Sequence, residues 1–275
     1  MQNIVLQAKG VTKRFGGITA LENAELEVRE GEVHALVGAN GAGKSTLIKI
    51  ITGAYTNDEG HVYLDGKEVN IKSTFDARAL GISAVYQEFS LINTVSVAEN
   101  IFMGKLLYNN LGPVPRVDWK KMNEETQKLL NSLGVKNIKP ETIVGRLSVA
   151  QKQMVEIAKA LSNKLKVLIM DEPTASLSDN EIDNMFQIIR DLKAKGISII
   201  YVSHRLEELP IICDRISVYR DGHYIKTLNI EDAPKQVIIE NMVGKNMTVT
   251  EQVKCYTDEV LLEVKNFSSG KNSRM

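Results

Sequence analysis

The hydrophobic pattern switches repeatedly between a period of two and a period near 3.6. Glu32-Val33-His34-Ala35-Leu36-Val37 is nearly unbroken in apolar character and short, as a buried strand is, while Leu47-Ile48-Lys49-Ile50-Ile51 carries the apolar face of a helix. Ahead of them, Ile4–Ala8 and Ala24–Val28 read as strands. His61-Val62-Tyr63-Leu64 and Lys67-Glu68-Val69 flank Asp65-Gly66, a pair that tolerates left-handed backbone and so predicts a hairpin. Ser73 to Leu80 predicts a short helix stopped by Gly81, and Ile82–Tyr86 a strand. From Thr94 to about Asn163 helical spacing dominates. Asp118 can cap a helix over Trp119–Leu133 that Gly134 ends, Leu111-Gly112-Pro113-Val114-Pro115 breaks between helices, and a second long helix spans Ser148 to Ser162. Strand character returns at Val167–Met170, Ser198–Val202 and Arg215–Tyr219, with an intervening helix opened by Ser178-x-x-Glu181 and stopped by Gly196. Strands alternating with helices predict an α/β fold, and residues 94–163 read as a helical subdomain inserted between strands.

Composition narrows the function classes. The 275 residues suffice for one large α/β domain, or one domain plus a fragment. Lys+Arg and Asp+Glu are both 34, so no basic excess points to nucleic acid. No apolar run reaches the roughly 18 residues of a membrane span. The start, Met1-Gln2-Asn3-Ile4-Val5-Leu6, lacks a signal-peptide pattern. Cys213 and Cys255 are isolated and the four histidines are scattered, so the reading is a reducing compartment with no disulfide or zinc site.

The candidate chemistry begins between the predicted strand at 32–37 and helix at 47–51. Gly38-Ala39-Asn40-Gly41-Ala42-Gly43-Lys44-Ser45-Thr46 fits G-x-x-x-x-G-K-[ST] in the strand–loop–helix setting that this phosphate cradle needs. Glycines let backbone N–H groups face a triphosphate, Lys44 adds a cation at the β/γ-phosphates, and Ser45 offers a hydroxyl to Mg²⁺. A glycine-rich turn with a chance lysine is the competing reading of the loop alone. Val167-Leu168-Ile169-Met170-Asp171-Glu172 then delivers two carboxylates to the C-terminal edge of a parallel sheet. Asp171 is placed to hold Mg²⁺ through its waters, and Glu172 to polarise an attacking water.

With these two, four further motifs resemble those of ABC-transporter ATPases over roughly residues 3–245. Leu147-Ser148-Val149-Ala150-Gln151 resembles their signature, Asp171 through Ser178 their Walker B and D-loop, Ser203-His204 their switch histidine, Tyr86-Gln87-Glu88 their Q-loop, and Lys13-Arg14-Phe15-Gly16 their adenine-stacking loop. The resemblance implies an α/β P-loop NTPase fold of ABC type: a mixed-sheet core with an N-terminal antiparallel β subdomain and an inserted helical subdomain. It implies ATP and Mg²⁺ as cofactors, with Phe15 on the adenine and Ser45, Gln87 and Asp171 at the metal. Glu172, His204 and Gln87 would act in hydrolysis, and Ser148 and Gln151 would bind the nucleotide held by an opposite domain. Two departures stand out: Val149 and Ala150 replace the usual glycines, and Ser178 stands where aspartate is common.

The runs Gln153–Ala160 and Val202–Glu208 resemble the ATP-binding subunits of bacterial monosaccharide importers of the ribose, galactose and xylose type. That likeness implies membrane permease subunits, a periplasmic or surface sugar-binding protein and a second nucleotide-binding domain as partners, no nucleic acid, and a peripheral place on the cytoplasmic face of the membrane. Ile4–Thr12 echoes Val260–Ser268. The family fuses two ATPase domains, so the expectation is one domain over 3–245, a linker at 246–258 and the opening of a truncated second domain at 259–275. An ABC ATPase of a soluble system and an ATP-binding regulatory module without turnover are the rivals; intact Glu172, Gln87 and His204 weigh against the latter.

Overall fold

A computed structural model describes residues 3–109 and 115–244, with 263 and 265. The expected linker, the echo at Val260–Ser268, Cys255, the opening of a second domain and most of the breaker at Leu111–Pro115 lie outside the described residues. Contacts divide the chain into two units, Met1–Lys245 and Asn246–Met275. In the second, Lys265 pairs with Glu263 at 2.9 Å.

The first unit opens with two long strands, β1 (Ile4–Phe15) and β2 (Ile18–Arg29), turned at Gly16-Gly17. They are followed by β3 (Val33–Gly38), α1 (Lys44–Ile51), the hairpin β4 (Glu59–Leu64) and β5 (Lys67–Val69), α2 (Thr74–Ala79) and β6 (Ile82–Val85). Asp65 and Gly66 both take positive φ, 49° and 74°, as their hairpin turn requires. Next come α3 (Val97–Ile101), a ribbon of β7 (Tyr108–Asn109) and β8 (Arg116–Val117), α4 (Trp119–Ser132) and α5 (Val149–Leu161). The chain then runs through β9 (Val167–Asp171), α6 (Asp179–Ala194), β10 (Ser198–Val202), α7 (Leu209–Ile212), β11 (Arg215–Arg220), β12 (His223–Asn229) and α8 (Lys235–Val243).

Ten strands form one sheet in the order β5-β4-β1-β2-β12-β11-β3-β10-β9-β6. The half from β6 to β11 is parallel, and the half around β1, β2, β4 and β5 is antiparallel. This is the mixed sheet expected. Strand β3 is buried on both faces: Val33, Ala35 and Val37 pack toward α5, α6 and the helical block, and Leu36 toward α1 and the antiparallel half. Burial on both sides explains why β3, β9 and β10 read as continuous apolar runs rather than alternating ones.

Four differences from the sequence reading have local causes. β1 runs past Ala8 to Phe15, and β2 starts at Ile18, because register shifts interrupt the alternation after Ala8. Gly10, at φ 59°, sits at that irregularity. The 94–163 block is not helix throughout. It also holds the β7–β8 ribbon, whose two-residue strands are too short to show a period. β12 and α8 carry mostly half-exposed residues, so neither shows a clear apolar face in the sequence. No helix among the described residues is long and apolar enough to cross a membrane.

Candidate functional site

The parallel strands end together. Residue pairing aligns Leu36 with Val202 and Val202 with Asp171, so the loops after β3, β10 and β9 leave one sheet edge side by side. Gly38 closes β3 in tight quarters: a Cβ there would lie 2.3 Å from the Tyr219 carbonyl oxygen and 2.9 Å from the Ala42 Cβ. Gly41, at φ 82°, has open space around it and is required by handedness alone. Gly43 is constrained twice, by φ 92° and by Leu21 Cδ1 and the Ala20 oxygen, 2.7 and 2.9 Å from where a Cβ would stand. The Gly43→Ala variant is therefore expected to lose about 1–3 kcal/mol of stability, measured by urea unfolding; an unchanged midpoint would contradict this packing.

No side chain caps α1, and its first turn holds no acidic residue. Its first N–H groups are thus available to an anion. Ala39, Asn40, Gly41 and Ser45 are exposed, and Lys44 is buried. Lys44 Nζ donates to the Gly38 and Ala39 carbonyls at 2.7 and 3.0 Å. Burial pushes its pKa down, against the opposing pull of Asp171 and Glu172.

Asp171 ends β9, and its pKa is raised, first by burial and then by the charge of Glu172. Lys44 and His204 pull it back. Two neighbouring acids with one partly desolvated suit a cation. Asp171, the Ser45 hydroxyl and the Gln87 amide oxygen are hard oxygen donors of the kind Mg²⁺ takes alongside water and phosphate. Among the described residues no group of three or more His, Cys, Asp or Glu side chains could hold a metal by itself.

Glu172 has left-handed backbone, φ 52°, unusual for a side chain with a Cβ. Its N–H donates to the Val202 oxygen at 2.9 Å, which pins the turn to the end of β10. The turn brings Glu172 Oε1 within 2.7 Å of His204 Nε2. Lys44, Asp171, Glu172 and His204 form one group. Gln87 lies exposed just after β6, the far strand of this half. Ser148 caps α5, and its hydroxyl accepts from the Gln151 N–H while Gln151 Oε1 accepts from the Ser148 N–H. Phe15 closes β1. Among the described residues, no hydrogen bond or ion pair joins Phe15, Gln87, Ser148 or Gln151 to the central group.

Two participants escaped sequence reading. Tyr55 meets Phe15 edge to face at 5.2 Å, with Lys13 and Lys49 over the two rings at 5.4 and 5.2 Å. It stands in a loop without periodicity, so nothing in the sequence signalled it. Glu208 ends the run Val202–Glu208 without a motif of its own, and its buried side chain accepts from Thr174, Tyr201 and Ser203.

A concavity of about 320 Å³ lies along the seam between the sheet and the helical block, with Phe75, Arg78, Met103, Lys105, Glu156 and Lys159 among its walls. Burial, with Arg78 and Lys159 nearby, pushes Lys105 down to about 8. At pH 8 roughly half of Lys105 is neutral, against under about 1% for an ordinary lysine near 10.4. With limiting acetic anhydride at pH 8, mass spectrometry should find Lys105 acetylated faster than Lys128, although Lys128 is far more exposed. Faster labelling of Lys128 would contradict the depressed value.

The mixed sheet, the glycine loop from β3 to α1 and the acid pair ending β9 define a P-loop NTPase. The ABC transporter family profile matches residues 21–175, more than half of the chain, and the chain belongs to that family. It is 44% identical over 271 residues to the "Galactose/methyl galactoside import ATP-binding protein MglA" of Clostridium tetani, covering 98% of this chain and 54% of that relative. The chain thus spans about half the length of the curated relatives it matches. Among solved structures, a nucleotide-free ATP-binding cassette from an ABC transporter superposes with TM-score 0.76 at 29% identity, covering 88% of this chain and all of that one. A dimeric cassette in a post-hydrolysis state, bound to ADP and Pi, superposes with TM-score 0.68 at 25% identity, covering 82% of this chain and 98% of that one.

Proposed function

We propose that this chain is an ATP-hydrolysing subunit that energises import of a monosaccharide across the cytoplasmic membrane, with residues 3–245 as its nucleotide-binding domain. The observation that carries the reading is the 2.7 Å contact of Glu172 with His204 at the same sheet edge as Lys44 and Asp171. Backbone N–H groups from Gly38 to Thr46 and the Lys44 ammonium hold the phosphates. Phe15 offers a face to the adenine. Mg²⁺, held by Ser45, Asp171 and Gln87, supplies charge neutralisation when bound. Glu172 takes the proton of the attacking water, and His204 orients Glu172 while donating toward the γ-phosphate. Phosphoryl transfer of this kind needs positioning and charge neutralisation more than covalent chemistry.

Ser148 and Gln151 serve a different site. Their capping box leaves the N–H groups of Val149 and Ala150 at the start of α5, and an exposed anion-binding helix end fits a nucleotide held by a facing domain. The dimeric cassette with ADP and Pi supports such pairing. The seam cavity, with exposed Phe75 and Met103 on its rim, suits a permease segment. A sugar-binding protein would act through the permease, and the chain would sit at the cytoplasmic face of the membrane. The name of the Clostridium relative supports the sugar, and the balanced charge gives no support to a nucleic-acid partner.

Uptake of labelled galactose, ribose and xylose by cells carrying Glu172→Gln in place of the unmutated gene tests the reading. Loss of uptake of at least one sugar supports it. Undiminished uptake of all three, with phosphate release by the purified chain intact, favours a soluble ABC ATPase.

A further inference from the structure

Glu208 is a buried carboxylate that the proposed chemistry leaves unused. It precedes α7, and its side chain is 7% exposed. One oxygen, Oε2, accepts three hydroxyls: Tyr201 at 2.7 Å, Ser203 at 3.0 Å and Thr174 at 3.0 Å. The other, Oε1, is buried with no hydrogen-bond partner, and the Arg205 guanidinium stands 3.7 Å away. Leaving a buried carboxylate oxygen without a hydrogen bond is unfavourable, and the three bonds on Oε2 and the nearby Arg205 charge offset it.

The donors are what give the cluster its meaning. Ser203 immediately precedes His204, and its Oγ also accepts from the Arg205 N–H at 3.0 Å, which folds the chain around the histidine. Thr174 follows Glu172 by two residues, and its carbonyl accepts from Leu177 in the turn that leads to α6. Tyr201 lies inside β10 and is fully buried. Burial, and then its bond to Glu208, push its pKa up, so it stays a donor. A single oxygen therefore ties the segment after Glu172 to the segment around His204, and anchors both to the core.

We propose that Glu208 is a positioning residue for hydrolysis, holding His204 in register with Glu172 by clamping Ser203 and Thr174 to one carboxylate oxygen. This rests on the reading of Glu172 and His204 as the hydrolytic pair. The 2.7 Å contact between those side chains joins two separate loops. Beside that contact and the Glu172 N–H to Val202 bond, the Glu208 clamp ties the two loops together through side chains. Loosening it lets the imidazole drift, and displacements on the order of 1 Å cost about 10²-fold in rate.

The test is a double-mutant cycle on phosphate release with Mg-ATP, using Glu208→Ala, Glu208→Gln and each of them combined with His204→Ala. Glu208→Ala should lower kcat by about 10- to 100-fold while KM for ATP stays within about threefold. Glu208→Gln should recover most of the rate, because its amide oxygen can accept the same three hydroxyls. In the His204→Ala background, Glu208→Ala should cause little further loss. Full kcat in Glu208→Ala, failure of Glu208→Gln to rescue, or an equal loss with and without His204 would overturn the proposal. A role confined to stability lowers the melting temperature without that dependence on His204. If Glu208→Ala does not fold, Thr174→Val and Ser203→Ala each remove one donor and should show smaller, His204-dependent losses of kcat; losses independent of His204 would overturn it. Unmutated rates in Glu172→Gln and His204→Ala would instead refute the hydrolytic pair itself, a separate result.

Discussion

Replacing Lys44 by alanine is expected to abolish tight binding of Mg-ATP. The ammonium lies inside the glycine loop, bonded to the Gly38 and Ala39 carbonyls, with exposed Asn40 and Gly41 around the mouth. Its burial already costs the protein something, as the downward shift of its pKa records. That cost is recovered when phosphate oxygens replace carbonyls as its partners, since charge-assisted bonds are worth about 1.5–3 kcal/mol each. Losing one or two such bonds weakens affinity by roughly 10²-fold or more. Alanine also withdraws a cation from half-buried Asp171, so the pKa of that carboxylate should rise further. Calorimetric titration with Mg-ATP is the check, and unchanged affinity would refute the assignment of this loop to phosphate.

Glu172→Gln should retain Mg-ATP binding and slow hydrolysis by about 10²–10⁴-fold, the range for removal of a positioned general base. The amide keeps the shape of the side chain and an oxygen for His204 Nε2 at 2.7 Å, but it cannot take a proton. The backbone strain at φ 52° is borne equally by either residue, so stability should barely change. The like-charge push of Glu172 on Asp171 also disappears in this variant. The pKa of Asp171 should therefore move back down, which leaves that carboxylate ionised over a wider acid range. Calorimetry on the variant separates retained binding from lost turnover.

Much of this was legible in the sequence because chemistry and periodicity coincided. The cradle from Gly38 to Thr46 follows an apolar run and opens an apolar helix face, and β3 and α1 flank it as read. The acid pair, too, ends a strand that is apolar without interruption. Helix caps were legible at Asp118 and Ser178, which occupy N-cap positions as read, while Ser73 and Ser148, read as helix starts, stand at N-cap positions too. What was hidden depended on tertiary contacts. Gly38 and Gly43 are needed because Tyr219, Ala20 and Leu21 crowd them, and none of those is near in sequence. The left-handed turn at Glu172 follows no glycine or asparagine signal. Tyr55 reaches Phe15 across 40 residues, and Glu208 reaches Thr174 across 34. The extension of β1 beyond Ala8 was masked by Gly10 and the register shifts beside it.

The most direct test of the account is phosphate release from saturating Mg-ATP by the unmutated chain beside Glu172→Gln, on preparations whose nucleotide binding has been matched. The account predicts measurable turnover in the first and a rate lower by about 10²-fold or more in the second. Equal rates in the two chains would contradict it.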